Sequence, residues 1–309
     1  MGRWRAPLLS GRSTGGRALT DADVPAALRV CAQVPVDSVL AASRIATAAE
    51  VGLRRAGGTL WGFERDDELV AVCWSGANLV PVVPPGAEDA IPAFARLARG
   101  AARRSSSIVG ERESVLELWG LLAPHWPEPR EVRADQHSLA IDTDPLVSPD
   151  PLVRRTRPEE YDDLLPACLA MFTEEVGYSP ASGPSGPYEM RVRHLVAQGR
   201  SYARFDGSSV VFKAEVGALA GGVAQVQGVW VDPARRGAGH AVAGMAAVRR
   251  SLGDAALSAT DRAAGRPLQP MMLTSASRTT ILRIACFTTL PPSTMAPDPM
   301  VRHLLDARQ

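Results

Sequence analysis

Apolar and polar positions along the chain follow two rhythms, one near every third or fourth residue and one every second, and their alternation predicts helices interleaved with strands. Thr20-Asp-Ala-Asp-Val-Pro-Ala-Ala-Leu-Arg-Val-Cys31 combines a capping Thr or Asp, a proline near the first turn and apolar positions at helical spacing, so a helix begins there. Gly58 to Glu64 and Glu68 to Ser75, separated by the charged Arg65-Asp-Asp67, predict a two-stranded hairpin. An amphipathic helix over 88–103, a short strand around Ile108 and a helix from Glu113 to Leu122 complete the first half. Val153 to Pro166 then repeats the pattern of Ala18 to Pro25, a short strand, a cap and a helix, which suggests that the two halves are structural repeats. Gly177, Ser179-Pro180 and Ser182-Gly-Pro-Ser-Gly-Pro187 predict a flexible loop. Segments 201–206, 209–217 and 222–231 predict an antiparallel meander, with an alanine-rich helix from Ala238 to Arg250 behind it.

Three prolines and three aspartates fall between Asp142 and Pro151, a composition that continues neither a helix nor a central strand. The expected organisation is therefore a basic tail at 1–17, a domain at 18–143, a linker at 144–152, a second domain at 153–290 and an irregular tail at 291–309. A length of 309 residues accommodates two cores. A net charge of +1 gives no field directed at nucleic acid. The apolar run Ala6 to Leu9 is too short for a secretory signal, and no stretch is long enough for a membrane span. Cys31, Cys73, Cys168 and Cys286 are scattered without paired spacing and read as reduced core residues of a cytoplasmic protein. Neither they nor His125, His137, His194, His240 and His303 make a metal pattern, so no metal is expected. Met271-Met272, and Trp119 with Trp126, read as packing residues. Lys213 is the only lysine in the chain.

The segment that carries chemistry is Val226-Gln-Gly-Val-Trp-Val-Asp-Pro-Ala-Arg-Arg-Gly-Ala-Gly-His-Ala241. A strand here ends at Asp232-Pro233, turns through glycines and opens a helix. The first amides of a helix lack partners within it and converge with the positive end of its dipole, a spot that attracts phosphate. Gly237 and Gly239 carry no side chain to hold a pyrophosphate away from the backbone, and Arg235 and Arg236 add charge at the rim.

The order Arg236-Gly-Ala-Gly-His-Ala241 fits Arg-x-x-Gly-x-Ala and resembles the acetyl-CoA motif of the GNAT family of N-acetyltransferases, over residues 152 to 290. The whole chain also looks like an actinobacterial group of GNAT proteins with an extra N-terminal domain. The resemblance implies an α/β (α+β) fold of two tandem GNAT-like domains, each a mixed, mostly antiparallel twisted sheet flanked by helices. It implies acetyl-CoA as acetyl donor, with Val229 and Val231 facing pantetheine and Arg236, Gly237, Ala238, Gly239, His240 and Ala241 around the pyrophosphate. At His240 the backbone is expected to matter more than the ring. No such motif follows a strand in the first half, which is therefore expected to be a degenerate copy or a substrate-side module without cofactor.

Acetyl transfer needs an amine without its proton and a means of protonating the departing thiolate. Glu215 is the candidate base, directly or through water; the alternative is a solvated Lys213–Glu215 pair on a strand surface. Gln225 stands where some family members place a glutamate base, and an amide takes no proton. The family's thiolate acid is a tyrosine, but no tyrosine follows Tyr202; in the remnant Thr274 to Phe287, Ile281 takes its place. From Ser251 onwards glutamate, tryptophan and lysine are also missing, which reads as a tail altered by divergence or a frame change, its final strands damaged. Two functions follow: N-acetyl transfer to a primary amine of a small molecule or peptide by direct attack, or a non-catalytic acyl-CoA sensor or scaffold. Acceptor and oligomeric state stay open, with no nucleic-acid or membrane partner expected.

Overall fold

The structure, a computed structural model, describes residues 15–136, 138–177, 179–180, 186–263 and 281–285. They divide into two compact units, 1–135 and 136–309, each a mixed, mostly antiparallel sheet flanked by helices.

The first unit contains β1 (Gly15–Ala18), α1 (Val24–Gln33), α2 (Pro35–Val51), β2 (Thr59–Arg65), β3 (Glu68–Ser75), β4 (Asn78–Val82), α3 (Ala90–Gly100), β5 (Ser107–Ile108) and α4 (Arg112–Leu122). Its strands lie in the order β1-β2-β3-β4-β5, antiparallel except for the parallel pair β4–β5. Ala71 and Cys73 of β3 pack into one cluster with Phe94 of α3 and Leu118 and Leu122 of α4. Strand alternation sends the buried Val72 and Trp74 to the other face, against which α1 and α2 lie. β1 occupies residues assigned above to a basic tail. Arg17 holds it there, reaching Glu64 at 2.6 Å and Asp23 at 2.8 Å.

The second unit contains β6 (Ser138–Ile141), β7 (Arg154–Arg155), α5 (Tyr161–Val176), α6 (Gly186–Ala197), β8 (Ser201–Asp206), β9 (Ser209–Ala220), β10 (Val223–Val231), α7 (His240–Ala263) and β11 (Ile281–Ala285). The strand order is β6-β11-β10-β9-β8-β7, with only β10 and β11 parallel. The meander expected from the sequence is β8–β9–β10, with Gly207, Gly221 and Gly222 at positive φ in its turns. α7 packs one face through Phe212, Val226, Met245 and Val248. Gly244 permits that contact, since a Cβ there would lie 2.7 Å from the Phe212 ring. α5 and α6 cover the other face through Leu164, Cys168, Val192 and Ala203.

The division between units falls ahead of the linker expected at 144–152, because β6 already pairs with β11. That linker is also no free tether. Asp150 is buried, its amide donates to the Ala243 carbonyl at 3.0 Å, and its carboxylate accepts from Arg204 at 2.8 Å. Ile281, set by the resemblance at the tyrosine place, instead opens strand β11. Thr274, Met271, Met272, Cys286, His137, His303 and the tail at 291–309 lie outside the described residues. Cys31, Cys73 and Cys168 are buried free thiols. No described helix is long and apolar enough to cross a membrane.

At the entrance to α5, Glu160 accepts from Arg154 at 2.5 Å and from the Arg157 amide at 2.8 Å. The Arg154 hydrogen bond, opposed by burial and supported by Arg157, holds the Glu160 carboxyl well below the usual carboxylate range. A depressed folded-state pKa means that the stabilisation is present above the unfolded value, near 4.3, and is lost as the pH falls below it. Glu160→Gln is accordingly expected to lower the urea midpoint at pH 7, and its difference from wild type to shrink steadily between pH 5 and pH 2.

Candidate functional site

The site begins where the pairing of β10 with the described residues of β11 ends. On one side β10 pairs with β9 as far as Val231↔Phe212; on the other it pairs with β11 only from Val223 to Val226. From Gln227 onward, among the described residues, that second edge of β10 has no strand partner. The register against β9 also jumps between Gln227 and Trp230, and Gly228 within the jump has φ +58°. This is a β-bulge: extra residues on one strand bend it and increase its twist. A glycine inside the run Val226 to Val231, apolar but for Gln227, is the sequence signal for it, since strand-interior glycine marks a bulge or a close approach.

Beyond the bulge the chain stays tightly bonded to its own backbone. The Asp232 amide donates to the Val211 carbonyl at 3.0 Å, ending the ladder. The Asp232 carboxylate accepts from the Ala234 amide at 3.0 Å and caps the single turn Pro233–Arg235. Gly237 and Gly239 follow at φ +80° and +79°, a region that favours glycine. A Cβ at either would meet nothing within 4 Å, so open space lies in front of this turn. α7 then starts at His240, and its first internal bond runs from the Ala243 amide to the Gly239 carbonyl at 3.1 Å. Helix geometry leaves the amides of His240, Ala241 and Val242 without an intrahelical acceptor.

The side chains here are held more firmly than the sequence suggests. Arg236 donates to the Val231 carbonyl at 3.1 Å and to Glu174 of α5 at 2.7 Å. Arg235 reaches Asp206 at 2.5 Å. Glu174 also accepts from the Trp230 indole at 3.4 Å. The His240 ring, expected to be secondary, has its Nδ1 3.2 Å from Arg204 Nη1, and Arg204 in turn binds Asp150. Glu174, Arg204 and Asp150 escaped sequence reasoning because they lie far from the motif in the chain. Val229 and Val231 are half-buried and pack on the α7 face of the sheet.

The two candidate catalytic residues lie deeper. Gln225 is 6% exposed, on the short stretch where β10 still pairs with β11, opposite Arg283. Glu215 is 4% and Lys213 0% exposed, which overturns the solvated surface pair. Both belong to β9, on the face covered by α5. Lys213 Nζ lies 2.8 Å from Glu215 Oε1 and donates to the Gly228 carbonyl at 3.0 Å, while the Cys168 thiol donates to Glu215 at 3.7 Å. Burial opposes the Lys213 charge, but the adjacent Glu215 carboxylate, together with Cys168 and Glu175, outweighs it and raises the pKa of the ammonium. Burial pushes the Cys168 thiol up to about 12, Lys213 opposing and Glu215 adding to the shift. Tyr188 donates to the Cys168 carbonyl at 2.8 Å, and burial raises its pKa further. His125 belongs to the first unit, where it lies against Arg99 at 3.0 Å. Among the described residues no three His, Cys, Asp or Glu side chains gather as a metal-binding set.

The corresponding strand, turn and helix of the first unit carry different chemistry. Between β4 and α3 the turn contains Pro84, Pro85, Glu88 and Asp89. The Gly86 amide already donates to the Glu88 carboxylate at 2.9 Å, and Asp89 pairs with Arg65. The adjoining cleft of about 390 Å³ is lined by Asp37, Glu88, Glu111, Glu113 and Glu117 with no basic residue.

Residues 58–164 match the model of a domain of unknown function, DUF4081, a stretch that runs from the approach to β2 into the first turn of α5. No curated protein matches the chain in sequence. Two solved structures align along most of it. One is an acetyltransferase of the GNAT family from Colwellia psychrerythraea, at 12% identity over 94% of this chain and 93% of that one, with a TM-score of 0.38. The other is a tandem GNAT protein from the clavulanic acid biosynthesis pathway, at 12% identity over 95% and 94%, with a TM-score of 0.42. At this distance the case for function rests on the geometry above.

Removing one partner of a buried ion pair strands the other charge and costs about 3–5 kcal/mol, whereas replacing both with apolar groups is far milder. Lys213→Met is therefore expected to lower unfolding free energy in urea by about that amount, and Lys213→Met/Glu215→Leu to recover most of it. Equal losses in the two variants would contradict the buried pairing.

Proposed function

We propose that the second unit binds acetyl-CoA between the free edge of β10 and the start of α7, and that it transfers the acetyl group to a primary amine. The observation that carries this reading is the coincidence of two features on one segment. Among the described residues β10 pairs with β11 only from Val223 to Val226, and the chain then passes into a glycine-lined helix start where a Cβ on Gly237 or Gly239 would meet no described atom within 4 Å. The strand backbone beyond Val226 suits the amide-rich pantetheine arm. The amides of Gly237, Ala238, Gly239, His240 and Ala241, with the helix dipole behind them, suit its pyrophosphate. Arg236 sits at the same rim and exchanges Glu174 for phosphate oxygens. Val229 and Val231 support the strand from the α7 side. No metal enters the proposed reaction.

In the transfer the neutral amine attacks the thioester carbonyl, the carbon–sulfur bond breaks, the amine proton leaves to water, and the coenzyme A thiolate takes up a proton. Gln225 can orient the acceptor or a water by hydrogen bonding but removes no proton. The first unit is proposed not to take the cofactor, because Glu88 already occupies a turn amide and carboxylates line the neighbouring cleft.

A specific observation favours a second reading, an acyl-CoA sensor or scaffold. Glu215 is sealed against Lys213 and Cys168, Gln225 is an amide, and no tyrosine follows Tyr202. Both readings require coenzyme A binding, and only the first requires release of free thiol when amines are supplied.

Calorimetry on wild type and Gly239→Glu, followed by a thiol-release assay across an amine panel, separates the readings. Wild type is expected to bind coenzyme A and the variant to lose at least tenfold in affinity, because a carboxylate would enter the space in front of the helix amides. Unchanged affinity in Gly239→Glu would place the cofactor elsewhere. Binding without thiol release would establish the sensor reading.

A further inference from the structure

We infer that Lys213 and Glu215 form a buried brace that sets the Gly228 bulge and thereby presents the free edge of β10 to the pantetheine arm; this rests on the cofactor reading above and makes the two residues a positioning pair. The chain contains 34 Lys and Arg residues, and its one lysine is also one of its fully buried side chains. Lysine suits this position on physical grounds. An ammonium is compact enough to be enclosed by one carboxylate and one carbonyl, whereas a planar guanidinium brings five donors that all need partners.

The contacts of that ammonium define the bulge. Lys213 and Glu215 lie on the same face of β9, and their charged atoms meet at 2.8 Å. The second bond of Nζ runs to the Gly228 carbonyl at 3.0 Å, drawing one peptide of β10 towards the interior at the point where the register jumps from Gln227 to Trp230. A Cβ on Gly228 would lie 3.1 Å from Met171 Cε, 3.3 Å from Lys213 Nζ and 3.4 Å from the Glu215 carboxyl carbon. The bulge therefore rests directly on the pair, with α5 behind it. Among the described residues the pairing of β10 with β11 ends at Val226, immediately before this point. The brace thus sits beneath the stretch of edge that the pantetheine arm would use, while the turn at Gly237 and Gly239 lies outside its contacts.

The single lysine permits a test on the unaltered protein. With ¹⁵Nζ-labelled lysine the full chain should give one ammonium resonance, protected from solvent exchange. Coenzyme A should move it, and 3′-phosphoadenosine 5′-diphosphate, which keeps the pyrophosphate and lacks only the pantetheine arm, should not. In Lys213→Met/Glu215→Leu, coenzyme A affinity should fall at least tenfold while 3′-phosphoadenosine 5′-diphosphate affinity stays within twofold. An unprotected ammonium, a resonance that ignores coenzyme A, or a double variant that binds it like wild type would overturn the brace. Equal losses for both ligands would also overturn it, by showing a general defect in place of positioning. Wild type that binds no coenzyme A would instead sink the cofactor reading, leaving the protected ammonium as the separate measure of the buried pair.

Discussion

The site proposed for the second unit depends on a bulge in β10 that rests on the buried Lys213–Glu215 ion pair. β10 pairs with β9 on both sides of that bulge, and among the described residues it pairs with β11 only from Val223 to Val226. In the proposed reading, the backbone of β10 beyond Val226 is what the bulge presents to a ligand. Exposed strand edges are liabilities that proteins ordinarily cover. In the proposed reading this edge leads into the amides of α7 and serves as a binding feature.

The two units show what sequence does with the same local plan. Each has a strand, a turn and a helix leading to a parallel partner strand, β4 to β5 in one and β10 to β11 in the other. In the first unit the turn holds prolines and acids, and Glu88 occupies an amide that could otherwise meet an anion. In the second the turn holds Gly237 and Gly239 at positive φ, where an added Cβ would meet no described atom within 4 Å. The proposed difference in anion binding thus rests on a few turn residues, whereas apolar clusters pack the sheets and helices of both units.

Much of this was legible in the sequence. The β2–β3 hairpin, α3, α4, the β8–β9–β10 meander and the start of α7 all follow from periodicity, caps and turn glycines. The misses have physical causes. α2 buries Ser38, Val39, Ala41, Ala42, Ile45 and Ala48, half of them alanines, which give little contrast between faces. β4 contains Pro81, which argues against a strand, yet β5 pairs with β4 only at Asn78 and Leu79, so the proline lies past the end of that pairing. β1 lacks an apolar pattern and is held by main-chain pairing and by Arg17. In the site, the glycine turn was readable because its demands are local. The burial of Lys213 and Glu215 was not, since alternating charges on a strand look the same whether a helix covers them or water does. Glu174, Arg204 and Asp150 reach the motif only through the fold, and no short-range pattern announces them.

The most direct measurement of the central claim is a crystal structure of the full chain with coenzyme A. The account predicts pyrophosphate oxygens within hydrogen-bonding distance of the amides between Gly237 and Ala241, and pantetheine amides paired with the β10 edge between Gln227 and Val231. Coenzyme A bound on any other surface, with that edge and turn left empty, would contradict it.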